Sequence, residues 1–118
     1  MAHPWKDLIV WQKAHELVLE TYRLSEKFPE SERFGLSQQT RRAATSVVSN
    51  IVEGKSKRTD KEFKTFLFNS RGSLEELRYQ IFLASQLKYI EESDLEYFEN
   101  KAKNVSFLLN RLINSVEK

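Results

Sequence analysis

Eight cations carry the chemistry that this sequence offers. Arg41, Arg42, Lys55, Lys57, Arg58, Lys61, Lys64 and Arg71 share a stretch whose acids are Glu53, Asp60 and Glu62. Lysine and arginine at this density meet phosphates, and the affinity comes largely from the counterions they release. The first seven cluster in sequence around the connection between the second and third of four predicted helices. Lys61, Lys64, Phe68 and Arg71 fall on one face of the third. The competing reading is a solvated turn with salt bridges between subunits, for instance from Arg42 to Glu53, or to Glu75. Nothing specifies bases: there is no zinc finger, RNP aromatic pattern or GxxG loop. Recognition of structured RNA or DNA would rest on shape and charge.

Other chemistry has weaker support. His3 and His15 are the two histidines, and no cysteine is present. That excludes disulfides and thiolate metal sites. A di-iron bundle needs Glu-x-x-His on two helices, and Gln12 stands three residues before His15. No Ser-His-Asp order or nucleophile elbow can be assembled, nor a Walker loop or GxGxxG. The carboxylate pairs Glu75-Glu76 and Glu91-Glu92 are adjacent, so on a helix they diverge by about 100°. The expectation is no catalytic residue, no metal and no cofactor. A nuclease assembled across subunits is a third class, recognisable by cleavage products that grow with time and divalent metal.

A chain of 118 residues is expected to be one domain, 1–118, with one core. It is 40% hydrophobic and 31% charged, with three Gly and two Pro. From Arg33 to Arg71 nine Lys/Arg face three acids, a net +6, and the remainder carries −4. That asymmetry predicts a basic end on an acidic body. No stretch approaches the roughly 20 apolar residues that span a bilayer. Met1-Ala2-His3-Pro4-Trp5-Lys6 lacks an apolar run of signal-peptide length. With no cysteine present, a cytoplasmic setting is expected.

The elements that must position these residues are helical. Apolar spacings of three and four predict helices over about residues 7–28, 36–54, 60–88 and 94–116. Their seams are Val10, Ala14, Leu17, Thr21, Leu24 and Phe28; Leu36, Thr40, Ala43, Val47 and Ile51; Phe63, Leu67, Ser70, Leu74, Leu77, Ile81 and Ala84; and Leu95, Phe98, Ala102, Val105, Leu109, Leu112 and Val116. Pro29 ends the first, and Gly54 is placed to stop the second. Thr59–Glu62 and Ser93–Glu96 read as capping boxes opening the third and fourth. Gly72, inside the third, predicts a close approach by a neighbouring helix. No segment alternates with period two. Short connections then favour an all-α, antiparallel up-down-up-down bundle.

Apolar residues remain beyond these seams. Leu8, Trp11, Val18 and Tyr22 form a second stripe on the first helix, with His15 beside it. Ala44, Val48 and Val52 do the same on the second, and Phe66, Phe68, Tyr79 and Phe82 lie off the third seam. Phe107 falls nearly opposite the fourth. Two-faced helices imply a second buried surface, and self-association is the reading favoured over a wide core. The interface set is Leu8, Trp11, His15, Val18, Tyr22, Val48, Val52, Phe68 and Phe82. Trp11→Glu or Val52→Glu would then dissociate the assembly while leaving the helices intact.

The order and spacing of several blocks resemble the 23S rRNA intervening sequence proteins, four-helix bundles encoded in insertions of bacterial 23S rRNA genes or elsewhere. The blocks are Asp7-Leu8-Ile9-Val10-Trp11-Gln12-Lys13-Ala14, Phe28-Pro29, Glu32, Phe34-Gly35-Leu36, Gln39, Arg41-Arg42-Ala43-Ala44, Ser49-Asn50-Ile51-Val52-Glu53-Gly54, Arg71-Gly72-Ser73-Leu74-Glu75-Glu76-Leu77 and Leu87-Lys88-Tyr89-Ile90. Val48 stands where the family often has proline, and Val52 where alanine is common. The resemblance implies a homopentamer with a central opening, assembled as a closed ring. A related branch comprises accessory proteins of diversity-generating retroelements, which associate with a reverse transcriptase and nucleic acid. The function expected is non-enzymatic nucleic-acid binding through the basic patch. The alternative is a protein-interaction or structural scaffold with no direct nucleic-acid role.

Overall fold

Seams spaced three and four residues apart become α1 (Ile9–Ser25), α2 (Leu36–Lys55), α3 (Asp60–Gln86) and α4 (Glu92–Val116), with a 3-10 turn at Glu30–Glu32. The computed structural model describes Trp5 and residues 8–116, and no strand occurs among them. The predicted helix start at Asp7 lies outside the described residues. Each helix packs on the next and α4 closes on α1, with no diagonal pair. The result is the antiparallel bundle expected, 44 Å long and 24 × 23 Å across. The α1–α2 and α3–α4 connections share one end. The α2–α3 turn occupies the other, beside the start of α1 and the finish of α4.

Every seam residue is buried except Leu95, Leu112 and Val116, which are half-buried at the core's edge. The buried hydroxyls are satisfied within the helices or across them, as buried polar groups must be. Thr21 Oγ1 donates to the Leu17 carbonyl at 2.8 Å, and Ser70 Oγ donates to the Val47 carbonyl on α2 at 2.7 Å. Ser46 and Ser73 join α2 to α3 through their hydroxyls, 2.8 Å apart.

Four local expectations change. Gly54 does not stop α2, which runs on to Lys55 with Ser56 as its cap, and no glycine has a positive φ. Its purpose is room: a Cβ there would sit 2.8 Å from Phe66 Cβ and 3.0 Å from Phe63 Cδ1. Gly72 shows the reverse, because a Cβ on it would meet nothing within 4 Å. No helix of its own chain makes the predicted close approach. Helix α3 ends at Gln86 rather than 88, in a Schellman closure. The Tyr89 N–H bonds the Ala84 carbonyl, the Lys88 N–H bonds Ser85, and Lys88 itself is left-handed with φ 67°. The second capping box is displaced two residues. Helix α4 begins at Glu92, and Asp94 rather than Glu96 reaches back, accepting the Glu91 N–H at 3.0 Å.

Two carboxylates fasten the two-turn end. Glu32 Oε1 accepts the Leu36 N–H at 3.0 Å and Oε2 accepts the Tyr89 hydroxyl at 2.8 Å, tying the start of α2 to the α3–α4 turn. Asp94 accepts from Lys27 Nζ at 2.9 Å and faces Arg23 at 3.7 Å, joining α4 to α1.

Candidate functional site

The α2–α3 turn is built by Thr59. Its hydroxyl oxygen accepts the Glu62 N–H at 3.1 Å and its hydroxyl donates to the Glu62 carboxylate at 3.0 Å, fixing where α3 starts. Lys55 closes α2, Lys57 and Arg58 ride the turn, and Lys61 lies in the first turn of α3. All four are exposed. Lys55 Nζ stands 5.5 Å from the Phe63 ring centre and Lys57 Nζ 4.9 Å from that of Phe66, so the two rings beneath hold the ammonium groups outward. Among the described residues no carboxylate lies within ion-pair distance of Lys55, Lys57, Arg58 or Lys61. One turn further on, Lys64 Nζ lies 5.8 Å from the Phe68 ring and the Arg71 guanidinium 4.9 Å from its other neighbouring side. The face predicted for Lys64, Phe68 and Arg71 is therefore formed. Arg71 is committed to α4, donating to Asn110 Oδ1 at 2.8 Å.

Arg41 and Arg42 do not belong to this cluster, contrary to the sequence expectation. They precede Lys55 by thirteen or more residues on one continuous helix, which places them about 20 Å away at 1.5 Å per residue. Arg41 instead faces α1. Its Nε donates to Ser25 Oγ at 2.8 Å and its guanidinium lies 4.8 Å from the Tyr22 ring. Arg42 is exposed beside it. With Arg33, Phe34, Gln38 and Thr45 they line a shallow groove near the two-turn end. Phe34, 81% exposed with the Arg33 guanidinium 5.4 Å from its ring centre, was not singled out as a site residue. It sits in a short connection, where no periodicity marks it.

The second-stripe residues divide. Leu8, Trp11, Val18 and Val48 are half-buried against their own core, and Ala44 is fully buried. Val52 is half-buried, and exposed His15 stacks on Trp11 with ring centres 5.2 Å apart. Tyr22, Phe68 and Phe82 are 41%, 42% and 47% exposed. Phe68, Gly72, Glu75, Tyr79 and Phe82, spaced four, three, four and three, form one continuous outer stripe on α3 that includes 61% exposed Tyr79. Among the described residues, no group of three or more His, Asp or Glu is placed to hold a metal ion. No helix among them is long and apolar enough to cross a membrane.

The fold and these surfaces define a class: all-α four-helix bundles with a basic turn at one end. The sequence model of the 23S rRNA-intervening sequence protein family matches residues 6–111, and the chain belongs to that family. It is similar in fold to the crystal structure of a protein of unknown function from the S23 ribosomal protein family of Bacteroides thetaiotaomicron. The TM-score is 0.82 at 24% identity, over 89% of this chain and 98% of that one. No curated protein matches the sequence.

Proposed function

We propose that this protein is a non-enzymatic, homo-oligomeric module that binds structured RNA or DNA through the α2–α3 turn. One contrast carries the reading. Cations that hold the bundle together are paired: Arg78 bridges Glu75 and Glu99, and Lys27 bonds Asp94. Lys55, Lys57, Arg58 and Lys61 project from one end without such partners. Unpaired cations held at a tip fit phosphates, and several copies in a closed ring, five on the family resemblance, would multiply a modest affinity.

The test is fluorescence anisotropy of a labelled RNA hairpin and a DNA duplex across several salt concentrations. The expected outcome is micromolar or tighter binding that falls steeply with salt. Lys57→Glu with Arg58→Glu should abolish it at physiological salt, whereas loss of one phosphate contact flattens the salt slope by about 0.9 on duplex DNA. No binding at low salt would overturn the reading. The exposed aromatic stripe of α3 favours a second reading, a scaffold for a protein partner such as a reverse transcriptase. That reading predicts a partner recovered by the wild type and lost on Tyr79→Ala, with nucleic acid ignored.

A further inference from the structure

We infer that in this assembly the outer face of α3 in one copy packs against the α1–α2 groove of the next, head to tail. The inference rests on the homo-oligomer reading and supplies its two surfaces and their register.

The first surface centres on Gly72. Its backbone is open to solvent at mid-helix, with exposed Phe68 four residues before it and Tyr79 seven after. Nothing in its own chain requires a glycine there, whereas an incoming helix gains a closer approach from the missing Cβ. The charges of this face are Glu75 and Glu76. The second surface lies on the opposite edge of the bundle, where half-buried Val18 and Val48 form an apolar floor and Arg41 and Arg42 supply the charge. Arg42 has no carboxylate within ion-pair distance among the described residues, and Glu76 has no cation within that distance.

Charge selects the pairing. A two-fold contact sets a patch against itself, so Glu76 would meet Glu76 or Arg42 would meet Arg42. A head-to-tail contact brings unlike surfaces together and generates rings when its rotation closes. Register supports the same choice. In a ring whose axis parallels the bundle, every residue meets its neighbour at its own height. The Ser46–Ser73 hydroxyl contact fixes a common height for α2 and α3. Because these helices run antiparallel, three residues toward the two-turn end bring Glu76 level with Ala43, beside Arg42. One residue the other way brings Gly72 level with Val47, beside Val48.

The test is sedimentation velocity on the full chain, with circular dichroism to confirm that each variant is folded. Gly72→Leu, Glu76→Arg and Arg42→Glu are each expected to weaken association at least about tenfold, and Glu76→Arg combined with Arg42→Glu to restore it. Gly72→Leu alters an open position of the subunit, so its folded helix content should persist. A monomeric parent would overturn the homo-oligomer reading and this inference together. An oligomeric parent whose folded variants stay assembled, or a double variant no better than the singles, would overturn the assignment of faces alone.

Discussion

At Lys88 the backbone is left-handed, with φ 67°, a conformation that costs a residue bearing a Cβ roughly 1–2 kcal/mol. Lys88→Gly is therefore expected to raise stability by about 0.5–1 kcal/mol, part of the gain being offset by the freer unfolded chain. Urea melts would measure it. The absence of glycine at that position is also why the sequence carries the helix on to 88: the closing residue lacks the usual signature. Two other side chains act through protons. Hydrogen bonds from the Leu36 N–H and then from Tyr89 hold the Glu32 carboxyl below its ordinary value. Burial alone would raise Asp94. The hydrogen bonds from Lys27 and the Glu91 N–H, with the charges of Lys27 and Arg23, outweigh it and hold Asp94 low. Both groups titrate lower folded than unfolded, so folding favours their ionised forms. Their contribution is whole above about pH 5 and is lost as the pH falls through the folded values, below about pH 4. Thermal melts from pH 6 to pH 3 should show a steeper fall for the wild type than for Glu32→Gln or Asp94→Asn. Neither link is legible in the sequence, because Glu32–Tyr89 and Lys27–Asp94 join residues more than fifty positions apart.

At the scale of the helix, two glycines make opposite predictions. Gly54→Ala forces a methyl against Phe63 and Phe66 at the tightest part of the α2–α3 contact. Overpacking there is expected to cost about 1–3 kcal/mol, more than the better helix propensity returns. Gly72→Ala adds a methyl in open space, so the isolated subunit should gain about 1 kcal/mol. Chemical denaturation at high dilution distinguishes the two signs. The four seams were readable because three-and-four spacing admits a single buried face, and their residues are all buried or half-buried. What each glycine does was not readable. The same letter serves as a stop, as room for a neighbour or as an open position, and the facing helix decides which. The α4 start was misplaced for a related reason. Ser93 and Asp94 both suit a cap, and the choice falls to Asp94 because Lys27 and Arg23 of α1 converge there.

For the whole molecule, proximity along the chain misled where a rigid helix intervened. Arg41 and Arg42 look like neighbours of Lys55 in the sequence, yet α2 carries them toward opposite ends of a bundle 44 Å long. The charge asymmetry was legible as an amount and not as a place. Separated in this way, the two basic groups are free to serve different partners, one a phosphate backbone and the other a second copy. The division of the bundle's fastenings has a consequence for its fluctuations. Two of the three connections, with the Glu32 and Asp94 links, sit at one end, while the end bearing the lysines has a single turn between exposed side chains. Local opening is easiest where such fastenings are fewest. Backbone amides should therefore exchange with deuterium in a gradient, slowly around Leu24, Leu36 and Phe98 and fast from Gly54 to Glu62. A bound polyanion would be recorded as protection gained at the fast end alone, a footprint that identifies the binding end without any substitution.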